Sequence, residues 1–103
     1  MLNIFLSPLA ERQLELLLEY LELEWSRKSR ETFLDKVKKS FSKISTNPKS
    51  CQESKAHPNI FKCVVTKQTS FYYRIVNNEI EIISVKDNRQ DPDKIEEELK
   101  HWR

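Results

Sequence analysis

Glycine is missing altogether from these 103 residues. The common phosphate-cradling loops need glycine where the backbone meets the phosphates, so nucleotide binding of those kinds is not expected. Cysteine is scarce. Cys51 and Cys63 stand apart, fitting neither a multi-disulfide framework nor a paired-cysteine zinc motif, and both are expected to be reduced thiols. His57 and His101 are likewise isolated, so neither a metal nor a cofactor is expected. No apolar run approaches the roughly 20 residues of a membrane span. The opening Met1-Leu2-Asn3-Ile4-Phe5-Leu6 also lacks the basic start and long apolar stretch of a secretory signal. A cytoplasmic chain with no membrane association is the expectation.

What is present suits one compact domain over residues 1–103: 38% hydrophobic residues, ten of them aromatic, grouped in periodic blocks. The net charge is only +2, but it is unevenly spread. Residues 1–35 carry −3. Residues 36–67 carry +7, eight lysines against the single acid Glu53, while residues 68–90 balance and residues 91–103 carry −2. The central basic segment suits a polyanion or an acidic partner, and it equally suits a solvated helix face.

Residues 2–6 alternate weakly and stop at Ser7-Pro8, where serine caps a helix and proline takes its first position. Ala10, Leu14, Leu17, Leu21 and Trp25 then recur at helical spacing and predict a buried stripe. Ser26 caps a second helix with Phe33, Val37, Phe41 and Ile44 on its apolar side and Lys36, Lys39 and Lys43 opposite. Asn47-Pro48 ends it. The short link implies an antiparallel helical hairpin. Residues 47–59 read as loop.

From Ile60 onward the pattern becomes β: 60–65, 69–76 and 79–86, rich in Val, Ile, Phe and Tyr. Asn77-Asn78 supplies a two-residue turn, asparagine being the best non-glycine residue at positive φ. That turn sets Arg74 opposite Glu81 as an ion pair and Tyr73 opposite Ile82. A matching two-residue loop at Lys67-Gln68 places Ile60, Val64, Phe71, Tyr73, Ile75, Ile80 and Ile82 against the helices. The other face then shows Phe61, Cys63, Ser70, Tyr72, Arg74, Glu81, Ile83, Asp87 and Arg89. Lys62 falls on the helix side in this register, which conflicts with its charge. Asp91-Pro92 starts a short C-terminal helix edged by Ile95, Leu99 and Trp102.

The order strand, two helices, antiparallel meander resembles the RelE/ParE superfamily of toxins from type II toxin–antitoxin systems. The likeness spans nearly the whole chain. Its most specific stretch is Phe71-Tyr72-Tyr73-Arg74-Ile75-Val76-Asn77-Asn78-Glu79-Ile80-Glu81-Ile82-Ile83-Ser84-Val85. Asp87-Asn88-Arg89-Gln90-Asp91-Pro92 is similar to the polar ending of plasmid-stabilisation toxins. The resemblance implies an α+β fold, with an N-terminal strand and a two-helix hairpin packed on a small antiparallel sheet. It also implies growth inhibition and a cognate antitoxin as partner.

Two activities follow from such kinship. RelE-like members cut messenger RNA on the ribosome, whereas ParE-like members bind DNA gyrase and are not catalysts. Ser70 stands where the ribonucleases commonly place an arginine, and Arg89 follows the last strand where an acid/base side chain is expected. The sequence therefore favours the gyrase-binding, non-enzymatic alternative, with Tyr72, Arg74, Asp87, Arg89, Lys36, Lys39 and Lys43 as binding candidates. For a ribonuclease the candidates are Glu53 for proton transfer, Lys55 and Arg89 for phosphate charge and Tyr72 for base stacking. A third alternative is a toxin-derived module that only pairs with an antitoxin.

Overall fold

A computed structural model describes residues 1–88; Arg89 and the expected helix after Asp91-Pro92 lie outside the described residues. Strand β1 (Asn3–Leu6) leads into helices α1 (Pro8–Glu24) and α2 (Arg27–Thr46), followed by strands β2 (Gln52–Glu53), β3 (Ile60–Val64), β4 (Thr69–Val76) and β5 (Glu79–Asp87). The sheet order is β1-β5-β4-β3-β2. Strand β1 runs parallel to β5, and every other pairing is antiparallel. The helical hairpin covers one face, giving the expected α+β architecture. No helix among the described residues is long and apolar enough to cross a membrane.

Local chemistry sets the helix ends. Ser7 Oγ accepts the Ala10 N–H at 3.0 Å and Ser26 Oγ accepts that of Ser29 at 3.0 Å, satisfying donors that the first helical turn leaves over. The Trp25 and Ser26 N–H groups both donate to the Leu21 carbonyl, so α1 ends and α2 begins within two residues. Trp25 is consequently the C-cap of α1 with non-helical backbone, and its side chain is 62% exposed. The apolar stripe stops at Leu21, contrary to the expectation of a buried Trp25.

Ala10, Leu17 and Leu21 of α1 and Phe33, Val37 and Ile44 of α2 pack on Phe61, Cys63, Phe71, Tyr73, Ile80, Ile82 and Val85. The Phe61 and Tyr73 rings stack at 5.1 Å, and Phe41 meets Phe71 edge to face at the same distance. Such pairs add about 0.5–1.5 kcal/mol to the area they bury. Tyr73 keeps its hydroxyl satisfied by donating to the Pro48 carbonyl at 2.7 Å.

Two register details differ from the expectation, and each reassigns side chains. Partners across β3 and β4 run from Ile60↔Arg74 to Val64↔Ser70, and the Val65 N–H donates to the Thr69 carbonyl. The connection is thus one residue longer than the Lys67-Gln68 loop. A one-residue slip turns every side chain of a strand over. Phe61 and Cys63 therefore lie in the core while Lys62 and Val64 face out. Lys62 escapes the helix side, which removes the conflict.

The second detail is a β-bulge. Pairing follows the Asn77-Asn78 turn through Tyr73↔Ile82, then resumes at Tyr72↔Ser84, leaving Ile83 as an extra residue on β5. Beyond it the alternation is inverted. Asp87, expected on the exposed face, pairs with Thr69 and is fully buried; its carboxylate accepts the Thr69 hydroxyl. Ile83 is buried as well rather than presented outward.

Strand β1 pairs only as far as Leu6↔Ile82, so the rest of β5 needs other partners on that side. Helix α1 supplies them. Ser7 N–H donates to the Ile82 carbonyl and Ser7 Oγ to that of Ile83, while Gln13 Oε1 accepts the buried Val85 N–H at 2.7 Å.

Candidate functional site

Three cross-strand rows lie on the sheet face turned away from the helices. Pairing aligns Gln52, Lys62, Tyr72 and Ser84 in one row, Val64, Ser70 and Lys86 in the next, and Ile60, Arg74, Glu81 and Phe5 in the third. The face is mixed, with Lys62, Arg74 and Val64 exposed, Phe5 41% exposed and Ser84 buried beside Tyr72.

Charge is segregated along it. At the end nearest the bulge, the Lys86 ammonium sits 4.6 Å from the Tyr72 ring centroid and 3.4 Å from its hydroxyl. A cation over an aromatic face gains about 0.5–1 kcal/mol or somewhat more at a half-buried site such as this, and it keeps both groups oriented. Lys62 occupies the position next to Tyr72 on β3 and has no ion-pair partner among the described residues. At the end nearest the Asn77-Asn78 turn, Arg74 Nε donates to Glu81 Oε1 at 2.6 Å, the expected cross-strand pair. Glu79 is exposed beyond it. One end thus offers positive charge beside an aromatic ring, and the other is internally compensated.

The remaining candidates are dispersed. Tyr72 and Arg74 share this face, but Asp87 is buried on the other side of the sheet. Lys36, Lys39 and Lys43 are exposed on α2, in the helical layer, where Lys39 pairs with Asp35 at 3.2 Å. Glu53 lies on the edge strand. Its Oε2 accepts the Asn59 N–H at 2.7 Å, and the Asn59 side chain in turn donates to the Ile75 carbonyl, so this carboxylate braces a loop whose Asn59 has φ 67°. Lys55 is exposed in that loop. Arg89 lies outside the described residues.

The sequence pointed away from Lys62 and never singled out Lys86. The misplaced charge of Lys62 was itself the available signal, since a lysine on a core face argues for a different loop length. Lys86 carries the same signal, since uninterrupted alternation from Ile80 and Ile82 puts it on the helix side, and the bulge at Ile83 turns it out.

Residues 4–92 match a family model described as the ParE toxin of the type II toxin–antitoxin system parDE. No curated protein sequence matches the chain at a significant level. Among solved structures, the chain is similar to one described as the chromosomal ParDE toxin–antitoxin system from P. aeruginosa, at 10% identity and TM-score 0.69, over 84% of this chain and 96% of that one. It is similar to the isolated E. coli RelE toxin at 13% identity and TM-score 0.60, over 97% of each chain. The YoeB-YefM complex from Staphylococcus aureus contains a chain with 18% identity and TM-score 0.57, covering 84% of this chain and 95% of that one.

Proposed function

Since the chain belongs to the ParE toxin family of type II toxin–antitoxin systems, we propose that it arrests growth by binding DNA gyrase, not by cutting RNA, and that a cognate antitoxin neutralises it. The observation that carries this reading is that the carboxylates on and beside the sheet are already engaged. Cleavage through a ribose hydroxyl needs one group to take a proton and another to return it. Glu81 is committed to Arg74, Glu53 to the Asn59 backbone, and Asp87 is buried with Thr69. Among the described residues the open face is therefore equipped to adhere, through Tyr72, Lys62 and Lys86, without a carboxylate poised beside them. An antitoxin partner accords with the family and with the structurally similar toxin of the S. aureus complex. The cytoplasm, where gyrase and messages are found, is the compartment this reading requires.

A specific observation also favours the ribonuclease alternative. Tyr72 with Lys86 over its ring and Lys62 alongside would, on that reading, offer a ring for base stacking between two cations set for phosphate. Expression without antitoxin, followed by gyrase supercoiling and message cleavage on programmed ribosomes, separates the two. Inhibited supercoiling with intact message is the expected result. Codon-phased cleavage overturns the proposal in favour of the ribonuclease, and harmless expression with silence in both assays overturns it in favour of a module that only pairs with an antitoxin.

A further inference from the structure

The two cysteines, far apart in sequence, meet at the sheet margin. Strand β2 pairs with β3 through Gln52↔Lys62 and Glu53↔Phe61, and the same register carried one residue further sets Cys51 beside Cys63, whose thiols hydrogen-bond to each other. The bonding alternation can be counted from Ser54, whose N–H donates to the Ile60 carbonyl at 2.7 Å. That pair is hydrogen-bonded, 53 with 61 is not, 52 with 62 is, and 51 with 63 again is not. Non-hydrogen-bonded antiparallel pairs bring Cα atoms to about 4.5 Å with the side chains closest. This lies inside the roughly 4.4–6.8 Å range that a disulfide spans. Both thiols are free, Cys63 buried and Cys51 half-buried.

We propose that Cys51 and Cys63 form a paired oxidation site that closes to a cross-strand disulfide in the presence of a hydroperoxide. Cys51, the more accessible sulfur, reacts first: its thiol takes the terminal oxygen of the peroxide and becomes a sulfenic acid, and with hydrogen peroxide one water leaves. The Cys63 sulfur then attacks the Cys51 sulfur. The S–O bond breaks, the S–S bond forms, and a second water departs with the Cys63 proton. One peroxide is reduced to two waters, and two thiol hydrogens are lost. Thiol reductants reverse the bond through the exposed side of Cys51.

Burial and the hydrogen bond with Cys51 push the Cys63 thiol up to about 12, with the Lys43 ammonium opposing them. Thiolate is the attacking species, so the second step quickens as pH rises. Closure ties the two-residue β2 to β3 beside Lys62 and fixes the 54–59 loop that Glu53 already braces.

The test uses the intact chain, purified reduced, treated with hydrogen peroxide, quenched by alkylation, and read by intact mass and peptide mapping. The expected product is a monomer that has lost two hydrogens, with the Cys51 and Cys63 peptides joined until a reductant is added. Closure should be faster at about pH 9 than at about pH 7. In Cys63→Ser the Cys51 sulfenic acid accumulates and is trapped by dimedone, whereas in Cys51→Ser the Cys63 thiol persists. Wild-type protein of unchanged circular dichroism whose two thiols both remain alkylatable, or whose only linkage is between chains, overturns the proposal. So does Cys51 advancing to sulfinic acid while Cys63 stays a thiol.

Discussion

Replacing Gln13 with methionine removes an acceptor on which the join between helix and sheet depends. Gln13 is 7% exposed, and its Oε1 accepts the Val85 N–H at 2.7 Å, at the point where β1 has ended and β5 continues beyond the bulge. Methionine keeps the length and approximate volume of the side chain but offers only a weak sulfur acceptor. The backbone N–H then stays buried without its partner, which costs about 1–3 kcal/mol, more than the roughly 0.5–1.5 kcal/mol a hydrogen bond usually contributes. In a domain of this size each 1 kcal/mol lowers Tm by about 4–8 °C. Urea titration followed by circular dichroism measures the loss, with Lys39→Ala as a surface control, its exposed pair to Asp35 being worth about 0.3–0.5 kcal/mol. If Gln13→Met unfolds within about 0.5 kcal/mol of wild type, the account of β5's unpaired edge fails.

Four other outcomes are expected. Lys62→Glu and Lys86→Glu, both on the open face, abolish growth arrest, while stability falls by no more than about 0.5 kcal/mol for Lys62→Glu and by about 0.5–1 kcal/mol for Lys86→Glu, which gives up its contact with the Tyr72 ring, read by colony counts and urea titration; retained arrest in both moves the interface elsewhere. Asn78→Val, at φ 62°, loses about 1–2 kcal/mol by forcing a β-branched residue into the left-handed region, whereas Asn78→Gly does not, as thermal unfolding will report. A double-mutant cycle on Arg74 and Glu81 yields a coupling of about 0.2–1 kcal/mol, reduced by salt. Stability also falls in alkali. Burial raises Cys63 from 9.0 to about 12, and burial followed by the nearby Cys51 thiol raises Tyr73 above its ordinary value, so the folded state favours both protonated forms. Their contribution is complete below about pH 9 and is lost above it, at no more than about 1.4 kcal/mol per pH unit for each group, measurable by urea titration at stepped pH.

The helices were legible because their signals are local. Ser7-Pro8, Ser26 and Asn47-Pro48 bound them, and a 3.6-residue stripe marks their buried sides. The Asn77-Asn78 turn was legible for the same reason: a two-residue loop leaves one register, and Arg74 duly meets Glu81. The sequence pattern misplaces side chains where one residue decides a face. Nothing in Val65-Thr66-Lys67-Gln68-Thr69 distinguishes a two-residue loop from a three-residue one, so Phe61 and Cys63 were assigned outward. Nothing in Ile82-Ile83-Ser84 announces a bulge, so Asp87 seemed a surface group and Lys86 went unnoticed. Trp25 continued the helical spacing of Leu21 but fell just past the last turn. The candidate site was thus half visible: Tyr72 and Arg74 precede the bulge, while Lys62 and Lys86 depend on registers that only tertiary pairing fixes.

Both margins of the sheet are abbreviated, two residues in β2 and four in β1. Among the described residues, an extended segment joining as a further strand finds few main-chain groups on either side for backbone bonding. The same brevity guards against stacking of identical copies edge on edge. A polypeptide docking at either margin of the described sheet would therefore rely largely on side-chain contacts, which ties its recognition to its own sequence.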